Sequence, residues 1–329
     1  MHQPDASAKS DDATASAPSV RPAIAALLLA TVFWGCGFAW AKTAGETVNA
    51  ACGLANGAPL GPMFVLTARF LLGAVLWFAI FPDSRRGWTQ QDLLRTLMLG
   101  VILSGGMIVQ HLGLDRTSEA VSAFLTSLTI LFVPLMMTFV LAKPPRSILW
   151  AGVVLATVGV WLMTGAAPSG FGIGELLGLS CALVYSIDII VLNYLITPAN
   201  VSRLTAGQFL IVGIVNLITC LFLPQGPPGL ARAHELLAMP AVGINVALLA
   251  IFPTLLSFGL QFRFQPRIDP SRAALIYLME PIFASLFALL VNGRGLNGIA
   301  MVGAALIIVA NLLVELVASR TPINTPIMD

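Results

Sequence analysis

The sequence contains an internal repeat: residues 110–160 match residues 261–311 without a gap, at an offset of 151. Identical pairs are spread over the whole match. They are Gln110 and Gln261, Arg116 and Arg267, Ala123 and Ala274, Phe132 and Phe283, Gly152 and Gly303, Leu155 and Leu306, and Val158 and Val309. The same offset places Phe33-Trp34-Gly35 on Val184-Tyr185-Ser186. Two related halves built of membrane-spanning helices are typical of transporters, whose substrates bind between the halves.

The composition predicts a polytopic membrane protein. Apolar residues make up 57% of the 329 residues and charged residues only 10%, whereas a soluble domain has about 25% charged residues. The net charge of +2 and the scattered basic residues argue against binding of nucleic acid. The cysteines, Cys36, Cys52, Cys181 and Cys220, have no CxxC spacing and indicate no redox compartment.

Turn residues divide the chain into ten apolar segments that we interpret as membrane spans. We place them near 22–43, 62–82, 93–114, 118–141, 147–166, 173–195, 204–223, 240–262, 270–291 and 297–318. The predicted domains are a disordered cytoplasmic tail at 1–21, a first repeat at 22–166, a second repeat at 173–318 and a cytoplasmic tail at 319–329.

The distribution of Lys and Arg predicts the orientation, because short cytoplasmic loops are enriched in these residues. With the N-terminus inside, twelve basic residues lie on the inner side and four on the outer side, and Arg69 lies within a span. The outer four are Lys42, Arg116, Arg232 and Arg294. We therefore predict a multi-pass protein of the plasma (cytoplasmic, or inner) membrane with both termini in the cytoplasm.

The predicted fold class follows from the odd number of spans in each repeat. Five spans per half require the two halves to cross the bilayer in opposite directions. We expect an all-α integral membrane protein of ten transmembrane helices in two inverted five-helix repeats. The segment from Gly45 to Leu60 is predicted to be an extra stretch between the first two spans, and the second half has a long connection from Pro224 to Met239.

Several short motifs resemble those of the drug/metabolite transporter superfamily, specifically its ten-helix EamA-type members. They are Phe33-Trp34-Gly35, Ala68-Arg69-Phe70, Thr126-Ser127-Leu128, Glu280-Pro281 and Gly303-Ala304-Ala305-Leu306-Ile307, in order along residues 22–318. The resemblance implies secondary transport of small organic solutes, often the export of amino acids or related metabolites. The chain departs from the family's Gly-Glu pair after the fourth and ninth spans, where it has Ala142-Lys143 and Gly293-Arg294.

Glu280 is the first candidate for a functional residue, because an ionisable side chain near the bilayer midplane is costly and usually serves a site. Pro281 has no N–H, so the carbonyl of Tyr277 loses its helical partner and could contact a ligand. Glu280 could bind substrate or carry a proton, or it could hydrogen-bond a neighbouring helix in a structural role. Asp188 and Arg69 are further candidates for coupling. Each has a structural alternative: a bond between helices for Asp188, and snorkelling or an ion pair for Arg69.

The remaining candidates are polar or aromatic residues within aliphatic spans. We predict that a midplane pocket is lined by Trp34, Gln110, Thr126, Tyr185, Gln261, Tyr277 and Glu280. Gln110 with Gln261, and Trp34 with Tyr185, are repeat partners; bonding between helices and aromatic packing are their structural alternatives. His111 is a single imidazole near the end of a span, and we assign it no role.

The predicted function is secondary transport by alternating access between the repeats, and the resemblance implies export of small organic metabolites such as amino acids or related compounds. The alternative is an integral membrane enzyme that acts on a lipid-linked substrate. No HExxH, acidic metal-binding pair or P-loop supports catalysis, and we expect no metal and no cofactor. Proton antiport, facilitated exchange and uniport all accord with the sequence. The expected partners are a small-molecule substrate, the lipid bilayer and a second copy in a homo-oligomer, but no nucleic acid.

Overall fold

The computed structural model describes residues 20–114, 116, 122, 125–164, 172–223, 225–292 and 297–319. Every regular element in this part of the chain is helical, and it contains no β-strand. The helices are α1 Arg21–Ala51, α2 Leu60–Ile80, α3 Gln90–Leu114, α4 Thr129–Phe139, α5 Ser147–Thr164, α6 Ile173–Leu195, α7 Val201–Phe222, α8 Pro240–Leu249, α9 Gly259–Phe264, α10 Pro270–Tyr277, α11 Glu280–Asn292 and α12 Gly298–Ser319.

Shorter elements connect these helices. A π-helical segment, Ala250–Phe258, joins α8 to α9, and a 3₁₀ turn, Gln265–Arg267, follows α9. Two short helices, Gly226–Ala231 and Ala233–Ala238, occupy the long connection before α8. Apart from residues 20, 21 and 319, the predicted tails lie outside the described residues, as does Gly293-Arg294.

The helices are those of a membrane protein. Six segments are long and apolar enough to cross a bilayer: Arg21–Ala51, Leu60–Ile80, Gln90–Leu114, Ile173–Leu195, Val201–Phe222 and Pro240–Arg267. Shorter apolar helices cover Leu125–Phe139, Ser147–Met163 and Gly298–Val314. Large apolar side chains point outward, with Phe222 85% exposed and Phe139 79% exposed, because lipid rather than water surrounds these helices.

The first helix is longer than the sequence predicted. We expected the first span to end at residue 43, but α1 continues to Ala51, and much of the supposed extra stretch is helical. Asn49 explains the extension, because its buried side chain donates to Ala58 O at 2.9 Å and accepts from Gly61 N at 2.8 Å. The amide thus holds the following loop and the start of α2 against the end of α1.

Two sets of contacts assemble the helices. α2, α3, α6, α7 and the π-helical segment share a core in which Phe70, Phe209 and Phe258 pack ring against ring, with centroids 5.9–6.2 Å apart. α5 packs against α12, where small residues permit close approach. A methyl group at Gly152 would contact Val314, and one at Gly303 would contact Met163. These two contacts are repeat partners, since 163 and 314 also differ by 151.

Candidate functional site

A central cavity of about 130 Å³ lies among α1, α2, α3, α6, the π-helical segment and the helices around residues 126–129 and 277–281. Along α3 it extends from Leu103 to Leu114, which is about 16 Å at the rise of an α-helix. Every residue that the sequence singled out for a pocket or for coupling lines this cavity. They are Trp34, Arg69, Gln110, Thr126, Tyr185, Asp188, Gln261, Tyr277 and Glu280.

Two parts of the cavity wall are positioned by interruptions in helices. A turn at Leu128 separates the helical residues 125–127 from α4, and Leu278 and Met279 separate α10 from α11. Leu128 and Met279 are repeat partners at the offset of 151. The sequence predicted one span at 270–291 with a lost hydrogen bond at Tyr277 O, and the structure divides it, with α11 beginning at Glu280. Residues next to both breaks line the cavity, where irregular backbone in a membrane protein is tolerated.

Glu280 is held at the cavity by the close contact of α11 with α1. A methyl group at Gly35 would lie 2.7 Å from Ala284 N and 3.0 Å from Glu280 O, so only glycine permits this approach. Thr126, Ser127 and Thr129 line the corresponding part of the first half. The Glu280 carboxylate forms no hydrogen bond or ion pair with a described residue.

The π-helical segment forms an aromatic wall with α1. The Trp34 indole donates to Pro253 O at 3.2 Å, and its ring stands edge-on to Phe258 and Tyr277 at centroid distances of 5.4 and 5.3 Å. Pro253, within the segment, disturbs regular helical bonding, and π-helical turns are frequent at functional sites. A side chain at Gly37 would meet the Pro253 ring at 3.0 Å, so α1 approaches this segment closely as well.

Beyond Gln261 and Tyr277, a buried network of amides ties the helices together. Gln265 Oε1 accepts from Tyr277 Oη at 2.7 Å and from Gln261 Nε2 at 3.0 Å. Gln265 Nε2 donates to Ile189 O at 2.7 Å and to Asn193 Oδ1 at 2.8 Å. Gln265 is fully buried and does not line the cavity. The network therefore fixes Gln261 and Tyr277, two residues of the cavity wall, to α6.

Sequence reasoning missed several residues of the site. His111 lines the cavity, with Nδ1 3.0 Å from Met107 O and Nε2 buried without a partner among the described residues. Gln265 was missed although it lies one helical turn after Gln261, a spacing that placed both amides on one face. Pro253 carried the clearest signal, because proline within an apolar span marks a break.

The cavity wall contains buried polar atoms that form no hydrogen bond with a described residue. Asp188 Oδ1 and Gln261 Oε1 are buried without hydrogen-bond partners among the described residues. The described residues contain no group of three His, Cys, Asp or Glu side chains that could hold a metal ion. Buried polar atoms without partners at a cavity wall indicate that a solute or ordered water completes them.

Comparisons with known proteins agree with this architecture. The model of the EamA-like transporter family matches residues 21–165 and again residues 172–316. An uncharacterized transporter of Archaeoglobus fulgidus is 27% identical over 290 residues, covering 88% of this chain and 84% of the relative. A chloroplastic WAT1-related protein of Arabidopsis thaliana is 21% identical over 269 residues, covering 78% of this chain and 63% of that protein.

The fold is also found among solved structures. One crystal structure, described only as that of a protein, matches with a TM-score of 0.67 and 18% sequence identity. The match covers 92% of this chain and 99% of the other. At this identity the likeness shows the fold alone.

Proposed function

The chain belongs to the EamA-like transporter family, and on that premise we propose that it is a secondary transporter that moves small organic metabolites by alternating access at the central cavity. Membership of this family makes the chain a transporter rather than an enzyme, and this decides against the alternative of catalysis on a lipid-linked substrate. The observation that carries the proposal is that residues from both halves of the chain converge on one cavity, with polar side chains left for a solute to bind.

The size and chemistry of the cavity favour a small polar solute. Its volume of about 130 Å³ is close to that of an engineered cavity of about 150 Å³ that holds benzene. Arg69 supplies positive charge and Asp188 and Glu280 can supply negative charge, while Trp34 and Tyr185 provide aromatic surface. We propose amino acids or related metabolites as the substrates and export as the direction, as the family resemblance implies.

The proposal includes ten membrane spans in two inverted repeats, at 22–166 and 173–318, with both termini in the cytoplasm. The double family match, the repeat-related breaks at Leu128 and Met279, and the paired contacts of Gly152 and Gly303 support the repeat. The excess of basic residues on one side supports the orientation. In this arrangement the network around Gln265 lies on the cytoplasmic side of the cavity.

Flux in proteoliposomes tests the function directly. Purified protein is reconstituted into liposomes loaded with a whole-cell metabolite extract, and the released solutes are identified by mass spectrometry. We expect a small set of organic solutes to leave faster than from liposomes without protein. Equal release of every solute from both preparations would contradict secondary transport of metabolites.

A further inference from the structure

Arg69 is a buried cation whose surroundings leave part of its guanidinium free. It lies on α2, is 5% exposed and lines the cavity. Its Nε atom donates to Thr254 Oγ1 of the π-helical segment at 3.2 Å. The guanidinium carbon lies 4.8 Å from the centre of the Phe70 ring, a cation–π contact that supports one face of the group.

No acidic side chain among the described residues forms an ion pair with Arg69. Asp188 and Glu280, the carboxylates among the described lining residues, lie in the same cavity without pairing with it. The two terminal nitrogens of Arg69 donate to no described residue. Because a charged group within the membrane is costly without a counter-ion, a cation of this kind indicates an anionic ligand.

Thr254 determines which donors remain for that ligand. With Nε occupied by Thr254 Oγ1, the two terminal nitrogens remain side by side, the arrangement in which arginine binds a carboxylate through two parallel hydrogen bonds. Thr254 is fully buried, and Gly73, one turn after Arg69, lets it approach. A methyl group at Gly73 would lie 2.9 Å from Thr254 Cγ2.

The charges around the cavity favour a carboxylate over a phosphate. Arg69 is the sole Lys or Arg among the described lining residues, which also include Asp188 and Glu280. A carboxylate carries one negative charge and is matched by one guanidinium. A phosphate monoester carries up to two charges and would face the same two acidic residues without a second fixed cation.

We propose that Arg69 binds the carboxylate of the transported solute and that Thr254 positions its guanidinium for this contact. The proposal rests on the proposed function and deepens it, because it makes a carboxylate a requirement of the substrate. A bound carboxylate would then lie where α2 of the first half meets the π-helical segment of the second half. Substrate recognition would thus depend on a contact between the two halves.

The test uses the proteoliposome assay with four variants. Arg69→Gln removes the cation, Arg69→Lys keeps the charge without the planar pair of donors, and Thr254→Val removes the acceptor at nearly constant volume. Thr157→Val is the matched control, because the Thr157 hydroxyl bonds only Val153 O within α5. Folding of each variant is checked by size-exclusion chromatography and thermal unfolding.

We expect every solute that depends on the protein to contain a carboxylate. Arg69→Gln should lower the flux of these solutes at least tenfold, and Arg69→Lys should give an intermediate flux. Thr254→Val should raise the half-saturating concentration severalfold while the maximal rate stays close to that of the wild type, whereas Thr157→Val should change neither. A wild-type rate in folded Arg69→Gln, or protein-dependent flux of solutes that lack a carboxylate, would overturn the assignment.

A measurement on the wild-type protein covers the case in which Arg69→Gln does not fold. The primary amide of a transported acid should compete at least tenfold more weakly than the acid itself, and equal competition would overturn the proposal. Release of phosphorylated solutes without release of any carboxylate would also overturn the proposal. An absence of any protein-dependent flux contradicts the transporter proposal itself, a result distinct from flux that persists without Arg69.

Discussion

The Tyr185 hydroxyl donates a 2.8 Å hydrogen bond to Gln110 Oε1 and so joins α6 to α3 at the wall of the cavity. The Tyr185 ring lies so close to α3 that a methyl group at Gly106 would be 2.3 Å from Cε1 of the ring. A rigid ring bonded at its far end cannot move aside easily. The position of Tyr185 in the cavity therefore depends on glycine at residue 106.

Gly106→Ala should consequently disturb the cavity. We expect a loss of about 1–3 kcal/mol in stability, the usual cost of overpacking, together with reduced transport. Gly105→Ala is a control one residue away, because nothing lies within 4 Å of the added methyl group; it should be neutral or stabilising by about 0.5–1 kcal/mol. Thermal unfolding in detergent measures both, and equal behaviour of the two variants would contradict the packing of Tyr185.

The helical segments were predictable from the sequence because the physics that produces them is local. Apolar runs bounded by turn residues placed α6 at 173–195, the same residues that the structure gives. The cavity residues were predictable for a related reason, since polar groups in apolar spans rarely face lipid. For Trp34 and Tyr185, their equivalent positions in the internal repeat were additional evidence.

Features that depend on contacts between distant segments were not predictable in the same way. The end of α1 is determined by bonds from Asn49 to Ala58 and Gly61, and the buried network of Gln265 depends on Ile189 and Asn193 of another helix. Neither produces a periodic pattern. The break before Glu280 was predictable only in part. Pro281 indicated a lost hydrogen bond, but it did not indicate that the helix would be separated into two.

Ala142 offers a prediction about stability. Its φ of +51° lies in the left-handed region, just after α4, where the family commonly has glycine. An L-residue in this region costs about 1–2 kcal/mol, and glycine avoids most of that cost. Ala142→Gly should therefore stabilise the protein by about 0.5–1 kcal/mol in thermal unfolding.

A glycine at an ordinary helical position is the control for this effect. Ala151 is an exposed residue of α5, so Ala151→Gly should destabilise the protein by about 1 kcal/mol. If Ala142→Gly were destabilising to the same degree, the left-handed conformation of residue 142 would be wrong.

Orientation can be tested by cysteine labelling in intact cells. Asp83, after α2, and His234, in the connection before α8, are both exposed, and the excess of basic residues predicts that they lie on opposite sides of the membrane. In a background without native cysteines, His234→Cys should react with a membrane-impermeant maleimide from outside. Asp83→Cys should react only after permeabilisation, and labelling of both from the same side would contradict the predicted topology.

Glu280 is the residue whose role most directly tests energy coupling. Its carboxylate lines the cavity without a partner among the described residues. The other ionisable groups of the described lining are Arg69, His111, Tyr185, Asp188 and Tyr277. Glu280→Gln keeps the shape of the side chain and most of its hydrogen bonding but removes the titratable charge. If Glu280 binds solute or carries a proton, transport should fall more than tenfold or lose its pH dependence, with normal expression and thermal stability.

A structural role for Glu280 predicts a different outcome. Hydrogen bonds between helices in membranes average about 0.6 kcal/mol, so glutamine should then be tolerated. Glu280→Ala separates the roles less well, because it also opens a cavity that can destabilise the contact with Gly35. Glu235→Gln is the control for loss of a carboxylate outside the cavity, since Glu235 is exposed and pairs with Arg232 at 2.8 Å. Wild-type flux and a wild-type pH profile in Glu280→Gln would rule out the functional role and direct the same experiment to Asp188, whose Oδ1 atom is buried with no partner in the part of the chain that the structure describes.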